Sequence, residues 1–207
     1  MLLFTPDEEN SGPRVGPVII SEVHYNPGEM LEASDLEFVE IYNPTGETVD
    51  MTNWRLNGGV DFDFAVGQTL VAKGVLVVVG FNPDDALNAA KVTAFRQAYD
   101  IGASVTLVGG WTGSLDNAGE TVRLESTDEP PLEEPDYYPH ILEDEVDYND
   151  KAPWPEAADG TGQSINRTSP TVWGNAATSW TAAEPTPGTA FGSAPPDNAV
   201  RNFTLWQ

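Results

Sequence analysis

The 207-residue chain contains no cysteine and only two histidines. Without thiolates it forms no disulfide bonds, iron–sulfur clusters or cysteine-ligated zinc sites, and it has no cysteine nucleophile. The His-Glu-x-x-His pattern of zinc proteases, the Gly-x-Ser-x-Gly elbow of serine hydrolases and a phosphate-binding P-loop are missing as well. We therefore predict that the chain is not an enzyme.

Basic residues are also scarce. Nine lysines and arginines stand against 33 aspartates and glutamates, which gives a net charge of -24. Nucleic-acid binding depends on basic side chains that displace counterions from phosphates, so no nucleic-acid partner is expected. The longest apolar run, Val75–Val79, is far too short to span a bilayer, and no membrane insertion is expected either.

The surplus of acid has two explanations. The favoured one is that the charge keeps an exposed protein soluble, so that no cofactor is needed. The alternative is calcium, which prefers carboxylate and carbonyl oxygens. Its candidate ligands are Asp144, Asp147, Asn149 and Asp150, a compact oxygen-rich run whose spacing does not match the EF-hand loop.

The other residues of catalytic type have ordinary explanations. His24 lies in a predicted strand and has no nucleophile beside it, which favours a structural or surface role. His140 lies in an acidic stretch, where we expect it to be solvated. Asp61 and Asp63 share one face of a predicted strand, as a pair of glycosidase carboxylates would. In so acidic a chain such pairs arise by chance, and we expect them to be solvated.

Turn residues dominate the remaining composition and indicate the fold class. Nineteen glycines and 17 prolines lie largely in short clusters between apolar runs, a pattern typical of proteins with many short strands. The continuous β-branched run Val75–Val79 predicts a central strand buried on both faces. One helix is predicted at about residues 84–99, with Asp84 as its N-terminal cap. The expected fold is all-β: a β-sandwich with one inserted helix. Strands are predicted near residues 18–25, 36–42, 54–56, 62–64, 75–79, 104–108, 121–124, 142–148 and 163–167.

The chain is predicted to form one domain with flexible flanks. Residues 1–16 are an acidic lead-in, residues 17–190 form the sandwich, and residues 191–207 form a tail or linker. Within the sandwich, residues 126–139 are acidic and rich in proline, which favours an inserted loop. The first residues lack the basic and apolar regions of a signal peptide, so we expect any export signal to lie outside this chain.

Several motifs, taken in order, resemble the bacterial lamin-tail domain family across roughly residues 18–190. Each motif alone is weak, but their order and spacing together are specific. The motifs are Ile20–Pro27, Glu37–Pro44, Val49–Leu56, Leu115–Leu124, Val146–Asp150 with Trp154–Pro155, Ala158–Ile165 with Arg167, and Trp180 with Pro187–Gly188. The resemblance implies an immunoglobulin-like sandwich. It also implies a non-catalytic module of a large secreted or cell-surface bacterial protein, which contacts neighbouring domains or a protein partner.

Aromatic residues in loop-rich stretches supply the candidate binding residues. Tyr137, Tyr138 and Trp173 are predicted to contact a partner or ligand, because exposed aromatic faces grip proteins or stack on sugars. Trp154 and Trp180 are expected to belong to the core instead. A glycan partner is the alternative: the chain would then be a carbohydrate-binding module that directs an attached enzyme, with or without calcium as a stabiliser.

Overall fold

The computed structural model describes residues 15–28, 33–189 and 191. The predicted lead-in at residues 1–16 lies outside this range except for its last two residues. The predicted tail at residues 191–207 lies outside it except for its first residue.

The described residues form thirteen strands. In chain order they are β1 (Ile19–His24), β2 (Phe38–Tyr42), β3 (Val49–Asp50), β4 (Arg55–Gly58), β5 (Val60–Asp63), β6 (Thr69–Leu70), β7 (Val75–Val79), β8 (Leu107–Gly109), β9 (Thr112–Gly113), β10 (Gly119–Thr127), β11 (His140–Asn149), β12 (Ser164–Arg167) and β13 (Trp180–Ala183). Short 3₁₀ segments lie at Ala33–Leu36, Ala86–Asn88, Glu156–Ala158 and Ala177–Ser179.

Two main sheets pack face to face. The six-stranded sheet has the order β13-β12-β1-β2-β7-β8, and the five-stranded sheet has the order β11-β10-β4-β5-β9. All these pairs are antiparallel except β7 with β8, while β3 and β6 form a separate two-stranded ladder. The interface between the sheets is the main core, which includes Val39, Leu56, Leu124 and Val146. The predicted immunoglobulin-like β-sandwich is confirmed.

Strand β7 confirms the prediction for the run Val75–Val79. It lies between β2 and β8, and its last four residues are buried. Leu76 and Val78 belong to the core between the sheets. Val77 and Val79 point to the other face, where a second cluster forms with Phe38. Because both faces of β7 are covered, apolar side chains are favourable at every position. This explains why polar and apolar residues do not alternate along the strand.

The predicted helix forms later than expected. The 3₁₀ turn Ala86–Asn88 comes first, and helix α1 covers only Ala89–Ala98. Asp85, not Asp84, caps the 3₁₀ turn, because its carboxylate accepts the Leu87 N–H at 2.9 Å, while α1 itself begins after Asn88 without a side-chain cap. Only Phe95 of α1 is buried, and it packs the helix on the outer face of the six-stranded sheet. Among the described residues, no helix combines the length and the apolar character that crossing a bilayer requires.

A β-bulge at Ser21 determines which side chains of β1 face the helix. The pairing of β1 with β2 shifts register between Ile20 and Glu22, so one residue is added at this point. Ile20 and Val23 therefore both reach the core between the sheets. Glu22 projects to the opposite face, where it is almost fully buried.

The predicted insertion is shorter than expected by two residues. Ser126 and Thr127 continue β10, since they pair with Ile141 and His140 of β11. The loop between the two strands therefore covers residues 128–139 and forms the tip of a long hairpin. Strand β13, which pairs with β12 along its whole length, was not predicted.

Candidate functional site

The tip of the β10–β11 hairpin concentrates exposed apolar side chains. Strands β10 and β11 pair from Gly119 opposite Asn149 to Thr127 opposite His140. Beyond that pair, the Asp128 N–H donates to the Pro139 carbonyl at 2.9 Å and closes the loop. We call the exposed set at this tip the hairpin surface. It consists of Leu132, Tyr137, Tyr138, Ile141 and Leu142, which are 95%, 58%, 43%, 41% and 51% exposed.

The local sequence explains why this loop does not fold back onto the sheet. Its four prolines lack a backbone N–H and cannot continue the ladder. Two turns replace it: the Glu134 N–H donates to Pro131, and the Tyr137 N–H donates to Glu134, each at 3.0 Å. The turns leave the two tyrosine rings on the surface.

Carboxylates surround the hairpin surface. Residues 128–143 contain six acidic residues and, as the only basic type, His140. The five acids in the loop are all exposed, so their charges stay in water next to the apolar side chains. The acids are Asp128, Glu129, Glu133, Glu134, Asp136 and Glu143. The hairpin surface therefore combines exposed apolar side chains with surrounding negative charges.

Trp173, the third predicted binding residue, lies elsewhere. Its side chain is 42% exposed, in the loop between β12 and β13. This loop is fastened to the middle of β11, because Asn175 donates to Glu145 at 2.6 Å and accepts the Asp147 N–H at 3.1 Å. The structure thus brings Tyr137 and Tyr138 together and separates Trp173 from them along β11.

The four candidate calcium ligands do not converge. Asp144 points into the sandwich, where Arg167 binds both of its carboxylate oxygens. Asp147 and Asn149 lie on the exposed face of β11, opposite to the face that carries Asp144. Asp150 follows the strand, with its carboxylate 3.6 Å from the Lys151 ammonium. No group of three or more His, Asp or Glu side chains is placed to hold a metal within the described ranges. Calcium binding stays a prediction.

The predicted core aromatics are confirmed, and one of them fixes the loop of Trp173. Trp180 is 5% exposed, and its indole N–H donates to the Gly174 carbonyl at 2.6 Å. The Arg167 guanidinium carbon lies 5.8 Å from the centre of the Trp180 ring. Trp154 packs against the same core, with its ring centre 6.4 Å from that of Trp180.

A buried pair of carboxyl groups is the feature that the sequence analysis missed. Glu22 and Glu40 are opposite each other on β1 and β2, and they are 1% and 2% exposed. Burial raises the pKa of Glu22 to about 7. Burial and the nearby charge of Glu22 raise the pKa of Glu40 well above its ordinary value. A possible signal was the position of each glutamate in the middle of a strand whose other residues are largely apolar.

His24 is buried beside this pair and is neutral. Tyr99 donates its hydroxyl to the Leu36 carbonyl at 2.6 Å, so the 2.8 Å contact between His24 Nδ1 and the Tyr99 oxygen needs the proton on Nδ1. Burial lowers the pKa of His24 to about 4. The ring also packs edge-on against Phe38. The structural role expected for His24 is confirmed.

An open groove lies between helix α1 and the 3₁₀ segment Ala33–Leu36. It has a volume of about 430 Å³ and is lined mainly by apolar side chains, among them Leu36, Ala94 and Phe95. Lys91 and Asp35 form an ion pair of 2.8 Å in its lining.

Comparison with known proteins gives a family for the chain. No curated protein sequence matches it. The family model described as Lamin Tail Domain matches residues 12–129, which is more than half of the 207 residues. The matched stretch begins before β1 and ends just beyond β10, and thus contains both central strands of the six-stranded sheet. Together with the immunoglobulin-like sandwich, this match shows that the chain belongs to the lamin tail domain family.

Proposed function

We propose that this chain is a non-catalytic binding module of a larger secreted or cell-surface bacterial protein, and that it holds a polypeptide partner on its hairpin surface. Immunoglobulin-like domains commonly mediate protein interactions. The proposal concerns the surface that this domain uses and the chemistry of the segment it binds.

One observation carries the proposal. Of the nine large hydrophobic side chains that are exposed among the described residues, five lie within the eleven residues 132–142. Single exposed apolar residues are normal on a soluble protein, whereas a cluster of them marks an interaction site. The remaining four are dispersed along the chain: Val66, Val71, Leu87 and Trp173.

The surrounding charge indicates what kind of polypeptide fits. Lysine and arginine side chains complement the six carboxylates of residues 128–143, and their cations also bind the faces of Tyr137 and Tyr138. Leu132, Ile141 and Leu142 offer a sugar no hydrogen bonds, so a neutral glycan leaves most of this surface unused. The expected partner is a cationic segment that also carries apolar side chains.

Three residues with strongly shifted pKa values are out of reach of a substrate. Glu22, Glu40 and His24 are each at most 2% exposed, so a substrate in solution does not reach them. General acid–base catalysis requires the catalytic group within hydrogen-bond reach of the substrate. Their pKa values follow from burial within the fold.

A binding assay with defined peptides tests the proposal. The probe is a fluorescent 12-residue peptide of alternating lysine and leucine, compared with a peptide in which glutamate replaces lysine. The hairpin variant is Leu132→Ser with Tyr137→Ser and Tyr138→Ser. Val66→Ser with Val71→Ser and Leu87→Ser is the matched control, because it removes equally exposed apolar side chains elsewhere.

We expect the hairpin variant to bind the cationic peptide at least tenfold more weakly, and the control variant to bind like the parent chain. Equal binding by all three proteins would show non-specific attraction to the net charge and would overturn the proposed surface. Binding to a panel of neutral oligosaccharides that is lost in Trp173→Ala would favour the carbohydrate-binding alternative. Turnover of generic ester or glycoside substrates would contradict the non-catalytic role.

A further inference from the structure

Residues 184–189, which we call the closing segment, cross the outer face of the six-stranded sheet instead of extending a strand. They pass over one row of residues that pair directly across neighbouring strands: Asn166 on β12, Glu22 on β1 and Glu40 on β2. The two glutamates are thus the part of the sheet that the closing segment covers.

Most hydrogen bonds from the closing segment to this row of residues are accepted by the carboxyl oxygens of Glu22 and Glu40. The Thr186 N–H donates to Glu22 Oε1 at 3.0 Å, and the Thr186 hydroxyl donates to Glu22 Oε2 at 3.1 Å. The Gly188 N–H donates to Glu40 Oε2 at 2.7 Å. Pro187, between these two residues, is buried. The pair of glutamates therefore fastens the closing segment at two points.

Only neutral groups complete the surroundings of the two carboxyls. Ser164 donates its hydroxyl to Glu22 Oε1, and Ser21 donates its hydroxyl to Glu40 Oε1 at 2.6 Å. The ion pairs of the described residues involve other acids, and no lysine or arginine lowers the pKa of either glutamate. Two negative charges side by side in a buried site repel each other strongly.

The elements packed around the pair do not supply the missing positive charge. His24, two residues along β1, is neutral above pH 4 or so. On α1, the Arg96 guanidinium donates to the carbonyls of Gly102 and Val105. Tyr99, which follows the last residue of α1, has its pKa raised by burial and by the charges of Glu22 and Glu37. Glu184, within the closing segment, adds a further acid.

We propose that Glu22 and Glu40 form a proton-dependent latch, which holds the closing segment against the sheet while the two carboxyls are protonated and releases it progressively as they ionise. Release lets water reach both carboxylates and removes the cost of burying two like charges. The closed state is therefore the acidic and neutral form, and the open state is the alkaline form.

The direction of the effect and a lower bound on its size follow from Glu22 alone. Its pKa is about 7 in the closed state and returns to the ordinary 4.5 when the segment opens. A group whose pKa is raised in the closed state stabilises that state below pH 4.5, and this stabilisation is lost as the pH rises through 7. The equilibrium constant for opening then increases roughly 70-fold between pH 5 and pH 8.

Amide hydrogen exchange measured by NMR tests the latch. The readouts are the protection factors of the Thr186 and Gly188 amides, corrected for the intrinsic effect of pH on exchange. The reference amides are those of Val39, on the central strand β2, and Val77 on β7, whose N–H donates to the Thr106 carbonyl at 3.2 Å. We expect protection at Thr186 and Gly188 to fall at least about 70-fold from pH 5 to pH 8, while the reference amides keep theirs.

Glutamine variants separate the latch from the general effect of charge. Glu22→Gln keeps the shape of the protonated side chain and removes the titration of Glu22, so the pH-dependent loss of protection should be at least tenfold smaller than in the parent chain. Glu129→Gln makes the same change of charge on an exposed side chain and should leave the loss unchanged. The carboxyl ¹³C shifts of the parent chain should show a buried glutamate with a midpoint near pH 7.

Three results would overturn the proposal. One is equal protection of Thr186 and Gly188 at pH 5 and pH 8. Another is a parallel loss at Val39 and Val77, which would mean that the whole domain unfolds. The third is an ordinary midpoint near pH 4.5 for both Glu22 and Glu40, a result that does not depend on how well any variant folds.

Discussion

Arg167 and Asp144 form a fully buried ion pair that joins the two sheets of the sandwich. Arg167 is on β12 of the six-stranded sheet, Asp144 is on β11 of the five-stranded sheet, and their side chains are 0% and 2% exposed. The same carboxylate accepts the Ile20 N–H at 2.8 Å, and the same guanidinium donates to the carbonyls of Ile20 and Val172. The pair is therefore the centre of a hydrogen-bonded network between the sheets.

Removal of one partner of this pair should be strongly destabilising. In Asp144→Asn the Arg167 charge stays buried without its counter-ion, and we expect a loss of about 3–5 kcal/mol in the free energy of unfolding. Urea denaturation followed by tryptophan fluorescence measures it. Lys151→Met removes a charge that is 78% exposed beside Asp150 and should change stability by less than about 0.5 kcal/mol. Similar losses in the two variants would contradict the central role of the buried pair.

Phe95 should carry most of the docking of α1 onto the sheet. It is the one buried residue of the helix, and its ring packs against Phe38, Phe81 and Tyr99. We expect Phe95→Ala to cost about 3–5 kcal/mol of unfolding free energy, because it leaves a cavity between helix and sheet. Leu87 is 89% exposed in the preceding turn, so Leu87→Ala should be nearly neutral. A neutral Phe95→Ala would show that the helix contributes little to the fold.

His24 should limit stability in acid. Its pKa is about 4 in the fold against 6.5 in the unfolded chain. A depressed pKa contributes stability that is present above pH 6.5 and lost as the pH falls towards 4, here about 3 kcal/mol for a complete shift. His24→Gln should therefore lose less stability than the parent chain between pH 7 and pH 4. Identical pH profiles of unfolding free energy would show that His24 does not titrate in this range.

The calcium prediction has its own test. If calcium binds at Asp147, Asn149 and Asp150, the melting temperature in millimolar calcium should be higher than in a chelator. The reason is that a ligand that binds only the folded state stabilises it. Asp150→Asn should abolish the shift, and magnesium serves as the control ion. An unchanged melting temperature would exclude a structural calcium site at these residues.

The sequence predicted the features that depend on local composition. Val75–Val79 is continuous and β-branched, and it forms the doubly covered strand that such a run favours. The two tyrosines of the proline-rich loop are exposed, as a stretch that cannot form a ladder predicts. Strand β13 escaped notice because Trp180–Ala183 lacks the alternation of polar and apolar residues that marks a half-buried strand.

The features that depend on distant parts of the chain were not predictable in this way. An acid in so acidic a chain is expected to be solvated, yet Glu22 is covered by Thr186, 164 residues further along. The bulge at Ser21 changes which residues of β1 face the core, and it depends on the pairing with β2. The pairing of Asp144 with Arg167 similarly follows from how the two sheets meet, and it removed Asp144 from the predicted calcium ligands.

The closing segment also determines how this domain responds to mechanical force. Tension applied at residue 191 travels back along the chain to Gly188 and then to Thr186 before it reaches β13, so the two carboxyl contacts are loaded one after the other. Contacts that are loaded singly break at lower force than a strand ladder whose hydrogen bonds share the load. Peeling of the six residues lengthens the chain by up to about 20 Å while both sheets stay intact. We therefore expect the domain to extend by this short length at low force before its core bears any load.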